Sequence, residues 1–160
     1  MPIKKQPIKM FTNGWIDKIS ADMNAEIGNL VNGIVETLSY IGERAVTIAR
    51  EQGNYMNRTG NLRSSIGYII LQDGEPVRQS GDYIVSGAEG VGDEGAQKAR
   101  ELLARLQSEF PQGIVLIVCA GMNYASYVED IHGKDVLTSA QLDTEETAER
   151  MLNKLLQQSK

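Results

Sequence analysis

The sequence predicts an α+β domain: a mainly antiparallel sheet covered by a long N-terminal helix, with an inserted helix and a C-terminal helix. Apolar residues recur every three or four positions from Ile19 to Ile48, the spacing of one helix face. Two short apolar runs, Ile66 to Leu71 (IGYIIL) and Ile114 to Ala120 (IVLIVCA), are rich in β-branched residues and read as strands. Two further helical patterns lie between and after these runs. With 160 residues, 41% of them hydrophobic, the chain can bury one ordinary core.

Residues 1–16 read as a flexible arm, with Pro2, Pro7 and an Asn13-Gly14 turn signal, and residues 17–160 as the domain. Trp15 is expected to pack on the helix it precedes, because its apolar area is large. That helix runs through Ile19, Met23, Ile27, Leu30, Ile34, Leu38, Ile41, Ala45 and Ile48, with Asp17 or Ser20 as cap and Gly53 as stop. Its other face carries Asn24, Asn29, Asn32 and Glu36, suited to water or a polar partner. Gly28, Gly33 and Gly42 each cost roughly 1 kcal/mol in a helix interior, so each marks either a close backbone contact or a bend. The stripe could serve a coiled coil, but strands that need a cover favour a helix laid on a sheet.

After the first strand, Asp73-Gly74-Glu75-Pro76 is a turn signal and Val77 to Gln79 begins the return, with Asp82 to Ser86 as its continuation or a further short strand. The stretch GAEGVGDEG, with four glycines and acidic residues, has few apolar anchors and predicts a mobile loop over residues 86–95. It lacks the Lys-Ser/Thr ending of a phosphate loop, and its acids would repel phosphate. A helix then follows on Ala96, Ala99, Leu102, Leu103, Leu106 and Phe110, ended by Pro111. The run Ile114 to Ala120 shows little alternation, which predicts a strand central in the sheet. The last helix is expected from about Asp143, where Asp143 and Glu146 form a capping-box pair.

Composition narrows the function. A net charge of −5 offers no field for a phosphate backbone, so direct nucleic-acid readout is not expected. No apolar run has membrane-spanning length or the form of a signal h-region. One cysteine, Cys119, cannot form an internal disulfide, and one histidine, His132, excludes a zinc site built on two histidines. Neither cofactor nor metal is expected. A cysteine hydrolase using Cys119 and His132 is conceivable, but a thiol inside an apolar strand lacks the electropositive, accessible setting that activates it. Glu129 and Asp130 are adjacent, so in an extended segment they point apart, which is poor geometry for acid–base pairing. The residues point away from an enzyme.

Two segments remain. Asn57 to Ile66 (NRTGNLRSSI) places a turn before a strand, and Asn123 to Asp130 (NYASYVED) follows the second apolar run with two tyrosines three positions apart. Together they resemble the minor tail and neck protein family of long-tailed bacteriophages and prophages. The turn motif is carried by Thr59, Gly60, Leu62, Arg63 and Ser65, and the second segment by Tyr124, Ala125, Tyr127, Val128 and Glu129, with Gly133 nearby. The resemblance spans most of residues 18–159. It implies a non-enzymatic structural protein that joins head to tail or completes the tail by assembling into a homo-oligomeric ring with other neck or tail proteins. It also implies location in the host cytoplasm during assembly and then in the virion. Candidate interface residues are Asn24, Asn29, Asn32 and Glu36 with Tyr124, Tyr127 and Glu129. Residues 86–113 are an insertion relative to that family, and GKDVLTSAQ stands where an aromatic-proline segment is usual. A host helical adaptor that uses the long helix as a coiled coil is the alternative from another class.

Overall fold

The computed structural model describes residues 13–51, 58–81, 86–122 and 136–159. It is α+β: helices α1 (Asn13–Glu51), α2 (Asn61–Ser64), α3 (Asp93–Gln107) and α4 (Thr138–Gln158), and strands β1 (Ile66–Gln72), β2 (Glu75–Gln79) and β3 (Ile114–Ala120). The strands form one antiparallel sheet in the order β2-β1-β3. The chain divides into two compact units, residues 1–33 and 34–160.

In the larger unit the sheet separates two apolar clusters. On one face Ile66, Tyr68 and Ile70 of β1 meet Leu38, Ile41, Ala45 and Ala49 of α1, with Val136, Ala140, Met151 and Leu152 around α4. On the other, Ile69, Leu71 and Cys119 meet Leu102, Leu103 and Leu106 of α3. Alternate residues of β1 therefore enter different clusters, as strand geometry requires. Ile66, Ile70 and Leu71 are fully buried, and each such side chain contributes about 1.5–3 kcal/mol.

The hairpin turns on Asp73 and Gly74, both at positive φ, the conformation of the tightest two-residue turn. Asp73 also ties this turn to the segment before β3: its N–H donates to the Gly113 carbonyl and its carboxylate accepts from the Gly113 N–H, both at 2.9 Å. A register shift between Ile70 and Leu71 accommodates Pro76 on the outer strand, where its missing N–H costs no ladder bond.

Five sequence expectations are corrected. β1, not β3, is central. An uninterrupted apolar run reports apolar neighbours on both faces, which β3 has while six of its seven residues stay half-buried, but says nothing of paired edges. The long helix begins at Asn13, so residues 13–16 belong to it, and Trp15 is 58% exposed instead of packed in the core. α3 ends at Gln107, short of Phe110. α4 begins at Thr138, five residues before Asp143, whose carboxylate instead receives two hydrogen bonds from Arg44 at 2.6 and 2.7 Å. That pairing holds the Asp143 carboxyl below its usual range and the Arg44 guanidinium above its own. Of the further strand expected at Asp82 to Ser86, residues 82–85 lie outside the described residues.

The helix glycines have different uses. A Cβ on Gly42 would stand 2.7 Å from the Tyr68 ring, so this position is a bare seat for the aromatic; a Cβ on Gly28 would meet nothing within 4 Å. Above that seat the Tyr68 hydroxyl donates to Glu43 at 2.8 Å and lies 3.4 Å from Ser39 Oγ, and burial is the main cause of its raised pKa. Gly42→Ala is expected to lower the unfolding free energy by about 1–3 kcal/mol, since overpacking outweighs the helix-propensity gain. Gly28→Ala gains propensity with no clash. Urea titrations of both variants check this contrast.

Candidate functional site: the turn and the glycine-rich loop

The turn motif is built by backbone conformation. Gly60 takes a left-handed φ of 78°, which starts the single turn of α2, and Thr59 Oγ1 accepts the Asn61 N–H at 3.3 Å. The turn closes with Ser64 N–H to the Gly60 carbonyl and Ser65 N–H to the Asn61 carbonyl, both 2.9 Å. Ser65 Oγ donates to the Leu62 carbonyl at 2.7 Å, which satisfies a hydroxyl with no exposure. Leu62 plugs the cluster beneath α1, and Arg63 is half-buried. Ile66 follows at once as the first residue of β1.

Against this turn lies the segment expected as a mobile loop. Glu89 N–H donates to the Arg58 carbonyl at 2.6 Å, Arg58 and Glu89 form an ion pair at 2.9 Å, and Gly87 N–H donates to the Gly90 carbonyl at 2.9 Å. Asn61 then grips the start of α3: its side-chain oxygen accepts the Gly95 N–H at 3.2 Å, and its amide donates to Glu94 at 3.3 Å. Cβ atoms on Gly87 and Gly95 would overlap the backbones of Arg58 and Asn61. These glycines permit close approach of two backbones. The composition argument counted their missing apolar anchors and missed that use, and the helix starts at Asp93, inside the expected loop.

The exit of β3 reaches the same turn. Gly121 N–H, just past β3, donates to the Ser65 carbonyl at 2.9 Å, and a Cβ on Gly121 would overlap the backbone of Lys98 and Ala99. Tyr124, Ala125, Tyr127, Val128, Glu129, Asp130, His132 and Gly133 lie outside the described residues. Asn24, Asn29 and Asn32 are exposed, while Glu36, also exposed, pairs with Arg78 of β2 at 2.8 Å. The structure thus gathers Thr59, Gly60, Leu62, Arg63 and Ser65 into one turn.

Chemistry at Cys119 is opposed by its setting. Desolvation pushes its thiol up to about 12, so the nucleophilic thiolate is suppressed near neutral pH. Among the described residues no group of three His, Cys, Asp or Glu side chains could hold a metal, and no helix is long and apolar enough to cross a membrane. A groove beside β3, lined by Ala45, Leu116, Val118, Leu137 and Ala140, has an apolar floor; its Glu145 already accepts a hydrogen bond from Gln141.

Sequence reasoning missed the exposure of Trp15, Ile16, Ile19, Met23 and Ile27, five large apolar side chains on the first five turns of α1. The spacing had marked most of them, but spacing cannot tell a buried stripe from an open one. Comparison with protein-family models, with curated proteins and with solved structures finds no match for this chain.

Gly95→Ala is expected to cost about 1–3 kcal/mol by forcing α3 away from Asn61, and to turn residues 87–92 from a protected into a protease-sensitive segment. Limited proteolysis of both proteins with mapped fragments checks it. Native Cys119 is expected to react with an aromatic disulfide reagent at least tenfold more slowly at pH 8 than the same chain in denaturant, because opening must precede ionisation. Equal rates would revive the hydrolase.

Proposed function

We propose that the chain is a non-enzymatic structural protein of a tailed bacteriophage or prophage, acting in head–tail joining or tail completion by assembling into a ring with other neck or tail proteins. The observation that carries this reading is the first motif: Thr59, Gly60, Leu62, Arg63 and Ser65 form one closed turn that feeds the central strand, and the Ser65 carbonyl accepts the Gly121 N–H at the exit of β3. The burial of Cys119, which raises its thiol pKa, supports a role without covalent catalysis. A ring repeats one heterologous contact until it closes, and the exposed asparagine face of α1 and the Tyr124 to Glu129 segment are the surfaces proposed for that contact.

The second reading, a helical adaptor, is favoured by the open apolar stripe near the start of α1. Native mass spectrometry over a concentration series separates the two. The tail reading expects a closed ring of one size at high concentration, lost in Tyr127→Ala. Assembly that stops at two copies at every concentration, and is unchanged by Tyr127→Ala, would overturn the ring and leave the adaptor.

A further inference from the structure

We draw no further inference here: the strongest candidate, the open apolar stripe on the first turns of α1 at Trp15, Ile16, Ile19, Met23 and Ile27, carries none because nothing in the structure shows what covers it.

Discussion

A strand paired on both edges and covered on both faces has no water left for any of its backbone groups, so every element around it must supply a hydrogen bond or a close-fitting surface. β1 is such a strand. β2 and β3 complete its ladder, α1 and α4 cover Ile66, Tyr68 and Ile70, and α3 covers Ile69 and Leu71. Where the ladder runs out, side chains take over: Arg50 donates to the Ile66 carbonyl at 2.5 Å, and Ser80 Oγ accepts the Tyr68 N–H at 3.0 Å. Three wholly buried aliphatic side chains on one strand contribute together roughly 5–9 kcal/mol, comparable to the net stability of a small domain. The ion pairs Arg58–Glu89 and Arg78–Glu36, half or more exposed, are screened and adjust geometry more than stability.

That constraint explains why glycine recurs wherever another element approaches β1. Gly42 lets the Tyr68 ring lie on the backbone of α1, and Gly67, on β1 itself, leaves room for Ser80 Oγ, which a Cβ would approach to 2.9 Å. Gly95 and Gly121 bring α3 and the exit of β3 against the turn that feeds the strand. Residues 86–113 are therefore part of the architecture: their helix is the layer over one face of the sheet, and their glycine stretch is the fastening of that layer to the turn.

The element types were legible in the sequence because they depend on local periodicity. The run IGYIIL is too short for a helix and too apolar for a surface strand, and Asp73-Gly74 admits the positive φ that the hairpin needs. Strand order was not legible, since covered faces and paired edges leave the same apolar run, and β3 was placed in the centre that β1 occupies. The turn motif was legible as a turn through Gly60. Its partner surface was not, because glycine in a polar stretch reads alike whether it loosens a loop or lets two backbones touch. The pair Asp143 and Glu146 matched a capping box but lay inside a helix, where Arg44, ninety-nine positions away, decides the role of the aspartate.

Trp15 shows the deepest limit of sequence reasoning here. Its expected burial followed from area alone, and area fixes how much free energy burial would release without saying which surface provides it. The same stripe that is buried from Leu38 to Ala49 is open from Ile16 to Ile27, with no break in spacing to mark the change. Continuous spacing keeps one face of one helix apolar through two environments. Its later half is satisfied inside the chain, whereas its earlier half exposes side chains that release free energy only when another surface covers them.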